Sequence, residues 1–474
     1  MTILAESSVK VVEDASYVSP PPGSVPTASL PLTCFDRVFL CFPSTWMRCL
    51  FFYEFKHPTS HFMQTILPNL KTSLSLTLQH FFPFAANLVY PPPPPQVPYI
   101  SYTQGDSVSF VVKVSTADFN HLVGDHARDN QELPALVPKR PSSNETNGCK
   151  QEPVMAIQVT VFPNAGFSIG VGFSHVVTDG RSFGHFMKSW ASIHRCEGDL
   201  ACLDNYLPCF NRDLINDPVE LASLFTKGAE RAFQSAISPS ILFNNFRVTY
   251  KIKDSQVELL KDRVKTKCTQ VNGSEPIRIS TFAVTCAYMW VCLLKLQQSG
   301  THQHLSSTDS DALSYFHFAA ECRDHLKLRQ TYFGNCIILR LASAKKSEVL
   351  GENGNLVAAT AIGREIMEFQ KQPFKDAQES WLKIIEIFKM GEDLVRVGSS
   401  PKFGLYKTDF GWGRPRNIEN PILPSFGTCS MFVIAENREE EEGGVEFALA
   451  FASHDLDIFN TIFHQGLLKL ESSK

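Results

Sequence analysis

The chain is poor in the features that announce a metal site, an export route or a charged partner. Its 13 cysteines are odd in number and include no C-x-x-C pair, which argues against a zinc site and a disulfide framework. The reducing cytosol is therefore the expected compartment. Positive charge is not in excess: 44 Lys and Arg stand against 48 Asp and Glu, a net charge of −4, so nucleic acid is not an expected partner. Long apolar runs are missing as well. The most continuous one, 281–294, is too short to cross a bilayer and reads as a buried element, so no membrane partner is expected. Glu6, Lys10, Glu13 and Asp14 interrupt any apolar core in the first twenty residues, and no signal peptide is read. No internal repeat is visible.

What the chain does have is length and apolar residues. With 474 residues and 43% hydrophobic content it can fill two large cores, at roughly 100–200 residues per domain. The Pro-rich stretch 18–32 reads as an extended lead-in. Phe62, Ile66, Leu67, Leu70, Leu74 and Leu78 keep helical spacing, with a break or kink expected at Pro68. Residues 91–95 read as a rigid proline spacer. Strands are expected at 107–114, 155–162 and 336–341, and a long crossover at 200–217 precedes a second half that starts near Leu221. A helix is expected over 356–369 with Asn355 as its N-cap. Residues 439–442 read as an acidic hairpin loop between strands at 431–435 and 445–451.

The organising stretch runs from Phe167 to Phe183. Up to Ser174, large apolar residues alternate with Ser or Gly, the period of a strand. Phe167, Ile169, Val171 and Phe173 can be buried, while Ser168, Gly170, Gly172 and Ser174 leave the other face open to a ligand or another backbone. The strand delivers His175. A turn with Asp179 and Gly180 follows, and then Phe183, Phe186, Met187, Trp190 and Ile193 recur at helical spacing. A histidine at a strand end beside a bare surface is a candidate general base. The H-x-x-x-D spacing alone is not evidence, because 14 His would give about 0.7 such pairs by chance. His121 and Asp125 repeat it without that context. Asp179 is also a natural N-cap for the helix.

Two other patterns carry less. Residues 166–170 spell G-x-S-x-G, but a nucleophile elbow needs a sharp strand-to-helix turn at the serine, and Ser168 lies early in an alternating strand. His57 and His61 mimic a metal-ligand spacing without a third ligand, so no metal is expected.

Together the motifs resemble those of a known family. His175-Val176-Val177-Thr178-Asp179-Gly180 is similar to the H-x-x-x-D-G motif of the BAHD acyltransferases of plants, and Asp409-Phe410-Gly411-Trp412-Gly413 is identical to their D-F-G-W-G motif. These are CoA-dependent enzymes of specialised metabolism that acylate alcohols and amines. Tyr332-Phe333-Gly334-Asn335-Cys336 resembles the Y-F-G-N-C motif of the branch acting on anthocyanins and other phenolic glycosides, often with malonyl-CoA. Residues 18–26, 30–36 and 280–290 are similar to that branch too. One departure is that 326–331 replaces the Pro-rich loop usual before Y-F-G-N-C.

The resemblance implies an α/β fold of two chloramphenicol-acetyltransferase-like domains, each a mixed β-sheet with flanking helices, joined by a long crossover loop with a channel between them. Residues 1–199 would carry the H-x-x-x-D motif, 200–220 the crossover, and 221–474 the D-F-G-W-G motif. It implies a cytosolic monomer without a permanent cofactor, whose partners are acyl-CoA and a phenolic glycoside acceptor. His175, Asp179 and Asp409 are its catalytic candidates. Asp179 is expected to pair with Arg323 and fix the turn carrying His175. Asp409 is either a second acid/base group or part of a fold-stabilising loop with Phe410, Gly411, Trp412 and Gly413, and Gly180 is a structural candidate. Ser280, Thr281 and Phe282 match a strand edge that contacts CoA, and Arg181 is a candidate clamp for a malonyl carboxylate.

The implied chemistry is direct transfer. A neutral imidazole of His175 takes the proton of the acceptor hydroxyl as its oxygen attacks the thioester carbonyl, and CoA thiolate leaves. Such a base supplies about 10²–10⁴-fold, so orientation and an oxyanion donor, which the sequence does not identify, must supply the rest. Malonyl-CoA is the first donor expected. A hydroxycinnamoyl-CoA donor on the same fold, and a non-catalytic descendant that binds small ligands, are the alternatives.

Overall fold

The computed structural model describes residues 9–42, 45–92, 97–203, 206–216, 245–272, 279–299, 312–390, 393–421, 429–439 and 443–472. Strict alternation around His175 does form a strand, Gly166–Ser174, hydrogen-bonded antiparallel to Met155–Phe162 on one side and Trp46–Glu54 on the other. The mixed sheet they belong to runs in the order Val9–Val18, Val108–Ser115, Met155–Phe162, Gly166–Ser174, Trp46–Glu54 and Asn417–Glu419. A second mixed sheet runs Ile337–Lys345, Leu313–Glu321, Leu394–Gly398, Cys429–Glu436, Val445–Ala452, Asn245–Ile252 and Arg128–Asp129. A third, antiparallel sheet built on Tyr99–Tyr102 and Asn87–Tyr90 has no counterpart in the sequence reading.

Each large sheet buries one core. In the first, the helix Gly180–Arg195 turns Phe183, Phe186, Met187, Trp190 and Ile193 inward, and the Trp190 indole donates to Ser73 Oγ at 3.1 Å on the helix Leu67–Leu78. In the second, the helix Thr281–Gln298 is apolar nearly all round and buried nearly all round. The bare face of the His175 strand is covered. A Cβ on Gly170 would lie 2.5 Å from the Leu136 carbonyl, and one on Gly172 would lie 2.7 Å from the Trp46 indole. Another backbone and an indole, not a ligand, occupy that face.

The two sheets also exchange edges. Asn417–Glu419 belongs to the second half of the chain but completes the first sheet, and Arg128–Asp129 of the first half ends the second sheet. Their charges meet: Glu419 takes Arg247 Nη2 at 2.6 Å and also pairs with Arg128, all three fully buried. Burial pulls the Glu419 carboxyl upward, but the two arginines outweigh it and the net shift is down.

Some expectations are corrected by local geometry. The break near Pro68 is not a kink at the proline. It is a π-helical turn, Phe62–Ile66, placed just before Leu67–Leu78, so that the helix can receive Pro68 in its first turn. The helix Gly354–Lys371 starts from Asn353, not Asn355, which lies inside its first turn. Ser280, Thr281 and Phe282 form the start of the helix Thr281–Gln298 rather than a strand edge, because Ser280 Oγ caps it, accepting from Ala283 N at 3.1 Å. The start of the second half near Leu221, most of the proline spacer and part of the acidic loop lie outside the described residues.

Removing the shared anion should be expensive. Glu419→Ala leaves two buried guanidinium groups facing each other, and a loss of about 3–5 kcal/mol of unfolding free energy is expected by chemical denaturation. A loss below about 1 kcal/mol would mean that water reaches the arginines.

Candidate active site

His175 is held by its backbone. Its N–H donates to the Thr45 carbonyl at 2.7 Å, and its own carbonyl accepts Asn335 Nδ2 at 2.8 Å. The ring lies flat on Phe39, centroids 3.8 Å apart and 14° from parallel. The residue is half-buried, whereas Nδ1 is shut off from water and has no hydrogen-bond partner. Burial lowers the imidazole pKa, and the smaller opposing effects of its own carbonyl, Asp179, Asn335 and Asp36 do not restore it. The ring is therefore neutral near pH 7, the state a general base requires.

Asp179 plays both structural parts read for it. As N-cap it accepts Ser182 N on Oδ1 at 2.9 Å. As an ion-pair partner it meets Arg323 twice, Nη1 to Oδ2 at 2.8 Å and Nη2 to Oδ1 at 3.1 Å, and Oδ2 also accepts Cys336 N at 3.2 Å. Both side chains are buried. Burial alone would raise the Asp179 pKa, but Arg323 and Ser182 bring it below the usual carboxylate value. Next to it Gly180 sits so tightly under Phe403 that a Cβ would enter the ring.

The Y-F-G-N-C segment is the clasp of this turn, a role the sequence reading did not assign. Arg323 Nη2 donates to the Tyr332 and Gly334 carbonyls, both at 3.1 Å. Asn335 Nδ2 reaches the His175 and Val176 carbonyls and Asp36 Oδ1, the last at 3.0 Å. Asp36, fully buried, is in turn the capping partner of Thr33, with Arg212 of the crossover 3.6 Å away. The Thr33-x-x-Asp36 spacing of a capping box was a legible signal for Asp36. Nothing local marks Arg212 or Asn335 as its partners.

The other sequence candidates make contacts of their own. Asp409 Oδ1 accepts Gly411 N at 2.7 Å and Gly413 N at 3.0 Å, closing a loop in which both glycines have positive φ, +108° and +95°. Phe410 and Trp412 stack on one another and meet the His194 ring edge-on and tilted, and His194 Nδ1 meets the Phe410 carbonyl at 2.7 Å. His194 lies fourteen residues after Gly180 on one helix, about 21 Å along its axis. The loop thus braces the far end of the helix that Asp179 caps. Arg181 is not free: its Nη2 is 3.4 Å from Glu321 Oε2. Phe282 packs on Phe318 at 5.7 Å. A surface concavity of about 280 Å³ between Val25, His80 and Phe210 contains none of these residues.

This scaffold, two edge-exchanging mixed sheets with a buffered histidine between a capped helix and a clasp from the other half, is that of a known class. A family model described as the transferase family matches residues 9–465, and the chain belongs to that family, the BAHD acyltransferases. It is 35% identical to a coumaroyl-CoA:anthocyanidin 3-O-glucoside-6''-O-coumaroyltransferase of Arabidopsis thaliana over 97% of this chain and 98% of that protein. It is 34% identical to phenolic glucoside malonyltransferase 1 of Nicotiana tabacum, over 86% and 88%. It is 32% identical to a malonyl-coenzyme A:anthocyanin 3-O-glucoside-6''-O-malonyltransferase of Dahlia pinnata, over 95% and 96%. The crystal structure of vinorine synthase has the same fold, with a TM-score of 0.66 at 19% identity, covering 98% of both chains. The crystal structure of F. sporotrichioides TRI101 with coenzyme A and T-2 gives 0.65 at 15%, covering 90% of this chain and 96% of that one.

The geometry separates the two roles open for Asp409. Asn at 409 keeps an oxygen for both glycine N–H groups but cannot titrate, so Asp409→Asn should retain activity within about threefold. Asp409→Ala loses two bonds to a charged acceptor, about 1.5–3 kcal/mol each, and should lower both stability and turnover. Equal inactivation of the two variants, both folded by circular dichroism, would make Asp409 an acid/base group.

Proposed function

We propose that the protein is a CoA-dependent O-acyltransferase that moves an acyl group to a hydroxyl of a flavonoid, anthocyanin or other phenolic glycoside, with His175 as the general base. The observation that carries this is a neutral imidazole, half-buried and desolvated, whose every firm tether is to its backbone. With the proton on Nδ1, Nε2 carries the lone pair. It takes the acceptor's proton as the hydroxyl oxygen bonds to the thioester carbon, and the resulting imidazolium returns a proton to the departing CoA sulfur. No permanent cofactor is needed. The relatives' names, malonyl and coumaroyl transferases of phenolic glucosides, support the reaction class.

The donor is malonyl-CoA or an aromatic acyl-CoA. Arg181 would clamp a malonyl carboxylate only in competition with Glu321. That pairing favours the second reading, in which Phe39 and Phe42, 5.9 Å apart beside the base, receive an aromatic acyl group. Ser280, Thr281 and Phe282 remain assigned to CoA, now as a helix start, whose N–H groups suit a phosphate. The reading keeps the division into 1–199, 200–220 and 221–474 around a channel, and a cytosolic monomer with neither nucleic acid nor membrane as partner. Among the described residues no helix is long and apolar enough to cross a membrane.

The test is CoA release from malonyl-CoA and p-coumaroyl-CoA with one phenolic glucoside, read by a thiol reagent. His175→Ala should lower kcat by about 10²–10⁴-fold. Full turnover in that variant would end the proposed mechanism. Arg181→Ala should raise KM for malonyl-CoA alone if it is the clamp. Because the imidazole is the active species when neutral and its pKa lies below 6.5, the acid limb of kcat/KM should fall below pH 6.5. A midpoint above 6.5 would place a carboxylate, not burial, in control of the ring.

A further inference from the structure

One face of the second sheet begins beside His175 and is only partly covered: Ile337 packs on the first core, Leu339 and Leu341 pack on the second, and Ile387 of the helix Ala377–Met390 sits at its far end. Ile337, Leu339 and Leu341 on one strand are half-buried and Ala319 on the next is exposed, whereas Phe316, Phe318, Ile338 and Ala342 on the opposite face are buried. Ile337 directly follows Asn335 and Cys336, which hold the His175 carbonyl and Asp179. From there the register leads away from the base: Ile337 opposite Glu321, Leu339 opposite Ala319, Leu341 opposite His317. Four residues of strand make this apolar floor about 13 Å long. At its end His317 lies in register with Arg396 on the neighbouring strand. Beyond, Tyr315, Ile387 and Leu394 close the face with an apolar cluster.

His317 is out of place there. Both ring nitrogens are shut off from water and neither has a hydrogen-bond partner. Burial, and then the charge of Arg396, push its pKa down to about 3, so the ring is neutral and offers one N–H and one lone pair. Buried polar atoms are nearly always satisfied, and the protein itself does not satisfy these.

We propose that His317 and Arg396 form a recognition site for a phenolic hydroxyl at the end of the bound acceptor remote from the reacting atom. This rests on the acyl-transfer reading above. A phenol both gives and accepts: its O–H goes to the His317 lone pair, and its oxygen takes an N–H of Arg396. A carboxylate has no proton to give and would set its charge against that lone pair. Reach points the same way. A malonyl carboxylate stands two C–C bonds of about 1.5 Å from the reacting carbonyl, far short of the floor's length. A sugar with its aromatic aglycone lying on Ile337, Leu339, Ala319 and Leu341 spans it.

The test compares two glucosides differing only in whether the distal ring carries a free hydroxyl or its methyl ether, in wild type, His317→Leu and Arg396→Met. Wild type should prefer the hydroxyl about tenfold in kcat/KM, the worth of one buried hydrogen bond. Each variant should lose that preference through KM of the hydroxylated acceptor, with kcat for the methyl ether within about twofold. Equal losses on both acceptors, or an effect confined to KM of the acyl-CoA, would overturn the assignment. Should either variant melt early, the wild-type ratio decides, and a ratio near one rejects the site. Absence of any acyl transfer by wild type is the failure of the underlying reading instead. Equilibrium titration with the two glucosides then still reads the preference, and equal affinities would reject the site.

Discussion

The buried pair of Asp179 and Arg323 is the constraint from which the site is built. Taking two charges out of water costs more than their attraction returns unless the remaining lone pairs and N–H groups are also occupied. Here they are. The carboxylate serves the first turn of the helix Gly180–Arg195, the guanidinium, and the main chain of Cys336, while the guanidinium serves Tyr332 and Gly334. One anion therefore fixes the turn after His175, the helix that follows and a segment of the second half of the chain at once. Asn335, on that same segment, then reaches the His175 carbonyl.

A second cross-link does the same work elsewhere. Glu419, delivered to the first sheet by an exchanged strand, holds Arg247 of the second sheet and Arg128 of the strand exchanged the other way. Two buried ionic joints, each of low tolerance for displacement, resist rotation of one sheet against the other about either joint alone. Apolar side chains cross as well, Phe35 into the second core and Phe333 into the first, so the ionic joints fix a packing that both halves share. Ile337, Leu339 and Phe42 keep part of their area open.

What the sequence could show of this follows from how far each signal reaches. The alternation of 167–174 and the helical spacing of 183–193 are local, and both elements stand where the pattern put them. Asp179 as cap and as partner of Arg323 was legible from the motif and its family resemblance. The bare glycine face was legible as a close approach but not as to what approaches, since Leu136 and Trp46 are distant in sequence. The role of Asn335 was hidden for the same reason: its partners are 160 and 299 residues away. The strand edge that the resemblance implied for Ser280 to Phe282 is a helix start, and the apolar run that follows, buried on nearly all sides, has no period that could have corrected it. The exchanged strands, two and three residues long, carry no pattern at all.

The pairing of Asp179 with Arg323 also decides what kind of base His175 is. A carboxylate hydrogen-bonded to the imidazole would hold its pKa up and stabilise the imidazolium, as in a Ser-His-Asp arrangement. With Asp179 neutralised by a guanidinium, its charge reaches the ring only as a minor opposing effect, and burial prevails. The result is a base that favours its neutral form at pH 7 and is weaker than a free imidazole, so it cannot by itself generate an alkoxide from a sugar hydroxyl. Proton transfer must then run with carbon–oxygen bond formation, when the hydroxyl has already become acidic. Such a step depends steeply on how the acceptor is aimed. An imidazole whose backbone carbonyl is held by Asn335 and whose ring lies flat on Phe39 meets half of that requirement. An acceptor anchored at its far end supplies the other half, because a long ligand pinned at a distance loses the freedom to present the wrong hydroxyl.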